Sequence, residues 1–179
     1  MKHWFTSDTH FGHANIIKYC NRPFTNIDHM NKAIIDNWNS CVQEDDIVYH
    51  LGDFCFRSES ISNKGQNVKS KEWLSKLKGN IIIIKGNHDK NNSTKTIIHN
   101  MTIVSYGFKI NLVHNPDHFS PSHDFNLVGH VHNNFKYIFN GNKLCINVGV
   151  DVWNFKPITL EQIIKFKNKV IHEIYRSAN

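Results

Sequence analysis

Asp8 and His10 stand two apart, Gly52 precedes Asp53, and Gly86-Asn87-His88-Asp89 closes a run of isoleucines. Further on, His114 ends an apolar segment, and His130 and His132 again stand two apart behind Gly129. Carboxylates, imidazoles and one carboxamide, with no thiolate among them, are the donors a hard or borderline metal takes. In extended chain, residues two apart point to the same face, so each Asp-x-His or His-x-His pair is expected to reach one centre. Taken singly these motifs are weak, because a lone Asp-x-His is commonly a turn and a lone Gly-Asp a strand end. Their joint occurrence at successive strand ends carries the reading.

The elements that must position them follow from periodicity. Ile81 to Ile84, closed by Gly86, reads as a strand buried on both faces that carries Asn87, His88 and Asp89 to a sheet rim, where open α/β folds place their chemistry. Residues 2–7 and 47–51 read as strands ending near Asp8 and Asp53. Residues 25–40 read as a helix, with Thr25 as cap, Asp28 three residues on, and Ile27, Met30, Ile34 and Trp38 on one face. Residues 57–70 read as a polar surface loop, 71–78 as a short helix stopped by Gly79, and 91–95 as a polar connection, with Ile97 and Ile98 in a turn of helix. Strands are expected over 102–106, 108–113, 125–128, 135–139 and 143–148, with a loop over 115–124. The tail reads as a helix over 159–168 and a closing strand over 170–175. No repeat or linker divides the chain, so residues 1–179 read as one domain.

The formal charge of +6 fits an anionic partner or simply a solvated lysine surface. Thirteen histidines against four cysteines favour imidazole and carboxylate sites over thiolate ones. The cysteines form no C-x-x-C pair, no export signal opens the chain, and no apolar run approaches the roughly 20 residues of a membrane span. A reduced, cytoplasmic protein without a membrane partner is expected.

As an ordered set, Asp8-x-His10, Gly52-Asp53, Gly86-Asn87-His88-Asp89, His114 and Gly129-His130-x-His132 resembles the motifs of the calcineurin-like metallophosphoesterases, and of their small single-domain bacterial and phage members in particular. Asn147-Val148-Gly149 fits the strand that follows in that family. The resemblance implies an α/β fold of α+β-like, four-layer build, a two-sheet β-sandwich flanked by helices, with two divalent metals above the strand ends. Asp8, His10 and His132 would hold one metal, Asn87, His114 and His130 the other, and Asp53 would bridge them. The donor mix fits Mn²⁺, Fe or Zn²⁺, of which Mn²⁺ is expected, and disfavours Ca²⁺. Asp89 stands where the family often has glutamate, and the chain carries only the minimal core, without the appended domains by which many relatives choose substrates.

The reaction so implied is hydrolysis of a phosphomonoester or phosphodiester by a metal-bridging hydroxide. His88 would serve as proton donor and Asp89 would fix its tautomer. His13, Arg22, His118 and His123 are candidate substrate contacts. His50 reads as a core or supporting histidine, and Cys55 as packing. The substrate would be a phosphorylated small molecule or a nucleotide, and the chain leaves the oligomeric state open. The rivals are a nuclease acting on DNA or RNA, against which no aromatic-interleaved basic stripe is present, and a non-catalytic metal-binding module, which predicts broken ligand positions.

Overall fold

Two sheets lie against each other with their site-bearing strand ends on one rim. In a computed structural model, which describes residues 1–56, 69–89 and 94–177, the first sheet has the order β3-β2-β1-β9. Strands β1 (His3–Thr6), β2 (Ile47–His50) and β3 (Asn80–Ile83) run parallel, and β9 (Ile158–Thr159) runs antiparallel to β1. The second sheet has the order β4-β5-β6-β8-β7. It comprises β4 (Asn100–Ser105), β5 (Phe108–Val113), β6 (Phe125–Val128), β7 (Tyr137–Asn140) and β8 (Lys143–Asn147), with β5, β6 and β8 parallel.

Register explains the layering. Trp4, Val48 and Ile81 share one row across the first sheet and face the helices, whereas Phe5, Tyr49 and Ile82 share the next row and face the second sheet. Alternation of side chains thus buries this sheet on both faces. The interior between the sheets is filled by Phe5, Leu51, Ile84, Ile110, Leu112, Phe125, Leu127 and Ile146, and each fully buried aliphatic contributes about 1.5–3 kcal/mol. The isoleucine strand β3 is nevertheless an edge strand: Ile81, Ile82 and Ile83 are half-buried and Ile84 alone is fully buried.

Helix α1 (Asn15–Tyr19), α2 (Ile27–Asn39) and α3 (Ser70–Leu74) accompany the first sheet. Ile27, Met30, Ile34 and Trp38 of α2 pack with Trp4 and Val48, as the helical spacing predicts. The cap is Asn26, whose side-chain oxygen accepts from the His29 N–H at 2.9 Å; Thr25 instead turns its hydroxyl to the His29 ring. The expected turn at Ile97 and Ile98 is not helical: the Ile98 carbonyl accepts from the Lys85 N–H at 2.7 Å, so this stretch lies along the chain leaving β3.

The tail departs most from expectation. Helix α4 (Leu160–Ser177) is continuous and replaces the expected closing strand over 170–175. No glycine or proline interrupts it, and Leu160, Ile163 and Val170 keep helical spacing into the intersheet core, so packing of that face outweighs the strand preference of its β-branched residues. The expected loop over 57–70 and the connection over 91–95 fall largely outside the described residues. Among the described residues, no helix is long and apolar enough to cross a membrane.

Candidate metal centre

Backbone geometry at the strand ends differs from the extended chain that the spacing suggests. Asp8, His10, Asp53, His130 and His132 have φ of 57°, 49°, 54°, 72° and 49°, all left-handed. The paired side chains converge because alternate residues turn through this region, not because a strand alternates. Aspartate and histidine are among the non-glycine residues found there most often.

Close backbone contact makes such turning possible. A Cβ on Gly86 would stand 2.2 Å from Asp53 Oδ1, and one on Gly129 would stand 2.0 Å from Ser7 Oγ and 2.6 Å from Asp8 Oδ2. Only glycine admits these approaches. The Asp8 carboxylate accepts from the His130 N–H at 2.9 Å, tying the first sheet's rim to the second's. Asp53 Oδ1 accepts from the His88 N–H at 2.9 Å.

Two donor groups result. Asp8, His10 and His132 have ligand atoms within 4.8 Å of one another, and so do Asp53, His114 and His130. Asp53 Oδ2 lies 3.6 Å from His10 Nε2 and 3.5 Å from His114 Nε2, between the groups. Asn87 Oδ1 lies 2.9 Å from both His114 Nε2 and His130 Nδ1. A third grouping, Cys20 with His132 and Asp151, shares His132, and its carboxylate is already taken by Arg22.

The electrostatics are those of a cation seat. His10 Nε2 is buried without a hydrogen-bond partner and points among carboxylates. Burial holds its pKa well below the ordinary imidazole value, so it is neutral and offers a lone pair. Burial raises Asp8. Burial also opposes ionisation of Asp53, but the His114 hydrogen bond and charge, with His10 and the His88 amide, outweigh it and bring Asp53 below the usual carboxylate range. Burial disfavours the imidazolium at His114 too, yet Asp53 and Asp8 lift it to about 9. Protons on imidazole thus supply positive charge that the two carboxylates need in the metal-free protein. The donor set, with one orphaned imidazole nitrogen, fits divalent metal.

Residues 1–154 match the family model of the calcineurin-like phosphoesterase superfamily domain. The chain belongs to that superfamily. An uncharacterized protein of Methanocaldococcus jannaschii is 44% identical to it over 184 residues, covering 97% of this chain and 96% of that protein. The Gene 66 protein of Mycobacterium phage L5 is 36% identical over 86 residues, 48% of this chain and 39% of its own length. Among solved structures, a protein of unknown function from Aquifex aeolicus superposes with a TM-score of 0.65 at 25% identity, covering 92% of this chain and 98% of that one. Superfamily membership makes the centre a metal site in kind, and the donor groups are its candidate ligands.

Several supporting roles in this calcineurin-like chain differ from the sequence expectation. Asp89 does not serve His88 through its carboxylate oxygens, which accept from the backbone N–H groups of Asp53 at 2.9 Å, Phe54 at 3.1 Å and Gly86 at 2.8 Å. It fixes the two turns that carry Asp53 and Asn87. Arg22 is no phosphate contact: it is buried, bidentate to Asp151 at 2.8 and 2.9 Å, and it donates to the carbonyls of Asp8 and Thr9. His123 is buried with its two nitrogens on Thr102 Oγ1 and Ser120 Oγ, pinning a loop to β4, so its ring nitrogens are already engaged. His13 does line the site, its Nδ1 3.3 Å from His10 Nδ1 and its ring stacked on Phe56. His118 lines a cavity beside Asn87 and His114.

Sequence reasoning missed Asp151 and the work of Asn147. Asp151 Oδ2 lies 3.0 Å from His132 Nδ1 and holds that ring beside the donor group, as carboxylates behind metal-binding histidines do. Asn147 donates to the His132 and Phe135 carbonyls and shapes the same loop. Asp151 lies two residues beyond Gly149, close to a motif already noted, but its partner Arg22 is 129 residues away.

His50 is buried, with Nε2 2.9 Å from Thr9 Oγ1 and Nδ1 unpartnered. Burial lowers its pKa from 6.5 to about 3. The unfolded chain therefore takes up this proton first, and the stability present above pH 6.5 is lost as pH falls toward 3, at up to about 1.4 kcal/mol per pH unit. Urea midpoints measured from pH 7.5 down to 4.5 are expected to fall less steeply in His50→Gln. Equal slopes in the two proteins would remove this role.

Proposed function

We infer that the chain hydrolyses phosphoric esters with the help of two divalent metal ions, Mn²⁺ in preference to Fe or Zn²⁺. Asp8, His10 and His132 would hold one ion, Asn87, His114 and His130 the other, and Asp53 would be shared. The observation that carries this reading is Asp53 Oδ2 between the His10 and His114 nitrogens, 3.6 and 3.5 Å away, with His10 Nε2 left without a partner. Two such ions, when bound, acidify water and neutralise phosphoryl oxygens.

His88 is the candidate proton donor. Its backbone N–H is held by Asp53 Oδ1, its ring is 45% exposed, and its Nε2 lies 4.0 Å from Asp53 Oδ2, so the imidazole stands at the open side of the centre. Water oxygen forms the new P–O bond, the ester P–O bond breaks, and His88 gives its proton to the departing oxygen. The substrate is a phosphorylated small molecule or a nucleotide, and four free cysteines accord with a cytoplasmic setting.

Hydrolysis of a panel of phosphomonoesters, cyclic and linear nucleotides and oligonucleotides with added Mn²⁺ tests the assignment. Turnover of none of them by protein holding two metals per chain would return the reading to a binding module. In labelled water, a single turnover is expected to place the label in the phosphoryl product. His88→Ala is expected to retain metal and to lose about 100-fold or more on alkyl esters, with a much smaller loss on p-nitrophenyl esters. Equal losses on both leaving groups would remove the proton-donor role.

A further inference from the structure

Two cavities open onto the donor groups, one on each. The first, about 310 Å³, is lined by Lys85, His99, Asn115 and His118 and ends on Asn87 and His114. The second, about 300 Å³, is lined by His13, Ile16, Tyr19 and His88 and ends on His10 and His132. None of the described residues lines both, and Asp53 Oδ2 lies between the two ends, within 3.6 Å of His10 and 3.5 Å of His114. A phosphorus centred over Asp53 thus has room for an organic group on either side, each cavity at the lower end of the size that takes a small organic ligand. A monoester has one such group and a diester has two.

The walls differ in chemistry. The first cavity has a lysine that forms no ion pair among the described residues, together with two exposed imidazoles. The second has rings: Tyr19 is 71% exposed at the end of α1 and stands edge-on to His13 at 6.2 Å, and His13 is stacked on Phe56 at 4.3 Å. Tyr19, exposed beside a phosphoryl site with the half-buried His13 against it, offers a face on which a nucleobase stacks, and an unpaired lysine suits a further phosphate.

Resting on the phosphoesterase reading, we propose that the substrate is a nucleotide diester spanning both cavities, with a base against Tyr19 and His13 on one arm and an anionic group beside Lys85 on the other.

Kinetics on thymidine monophosphate, the dinucleotide TpT and its 5′-phosphorylated form pTpT, with Mn²⁺-loaded protein, test this. Both dinucleotides are expected to exceed the monoester in kcat/KM by about tenfold or more, and pTpT to exceed TpT. Tyr19→Ala is expected to raise KM for TpT about tenfold, the loss of one stacked base. Lys85→Met is expected to bring the pTpT-to-TpT ratio to about one. Preference for the monoester, or an unchanged KM in Tyr19→Ala, overturns the proposal. Equilibrium binding of the phosphorothioate analogue of TpT separates the two readings. Tyr19-dependent binding without turnover of any ester sinks the phosphoesterase reading, and with it the diester as substrate, and leaves the two cavities a dinucleotide-binding site. Monoester turnover without analogue binding does the reverse.

Discussion

An Asp53→Asn protein is expected to fold, to hold at most one metal per chain, and to lose phosphoesterase turnover on the order of 1000-fold or more. Carboxylates that merely support metal ligands cost about 10–100-fold when removed, and Asp53 lies between both donor groups with its Oδ2 near both imidazoles, so its loss must exceed that range. The amide keeps an oxygen that can still accept from the His88 N–H, and that contact is why the fold is expected to survive. It removes the negative charge that keeps His114 protonated in the metal-free state and that both ions would share. Metal analysis after gel filtration and kcat on any ester the wild type cleaves are the measurements. Undiminished turnover with two metals bound would show that Asp53 is not shared between two metals.

Asp151→Ala is expected to cost about 3–5 kcal/mol of folding stability, because it leaves the buried Arg22 guanidinium without its counter-charge. The same change removes the Nδ1 partner of His132, so metal affinity is expected to fall about 10–100-fold. Replacing both partners, as in Arg22→Met with Asp151→Leu, is expected to recover much of the stability but none of the metal affinity. Urea unfolding of the metal-free proteins and metal titration separate the two effects. A single-mutant cost below about 1 kcal/mol would mean that the pair is hydrated in solution. The pH dependence has a definite sign. Burial opposes charge on both partners, but their hydrogen bond holds Asp151 below its usual 3.8 and lifts His132 to about 10. Stability from Asp151 is present above pH 3.8 and lost as pH falls below it. Stability from His132 is full below pH 6.5 and is lost as pH rises toward 10.

Much of this arrangement is legible in the chain because ligand types and strand ends are local. The isoleucines leading to Asn87, the apolar segment leading to His114 and the strand leading to His130 are each visible within ten residues. Roles that depend on distant partners are not. Arg22 looks available for phosphate until Asp151 arrives from the far end of the chain, and Asp89 looks placed to serve His88 until the Asp53 turn folds over it. His123 shows the same limit, since Thr102 of β4 is what draws it inward. The strand expected over 170–175 failed for another reason. Its β-branched residues carry a weak local preference, and the burial of Val170 beside Ile163 decides the element.

The left-handed backbone at Asp8, His10, Asp53, His130 and His132 joins two demands that are usually separate. The side chains able to ligate a metal are also those least penalised in that conformation, whereas valine, isoleucine or threonine would be costly at each of these positions. Selection for a foldable chain and selection for a working centre therefore draw on the same small alphabet of residues here. Glycine or asparagine would keep the turn at any of these positions while removing a carboxylate or imidazole donor, so the centre can be disarmed there without unfolding the rim.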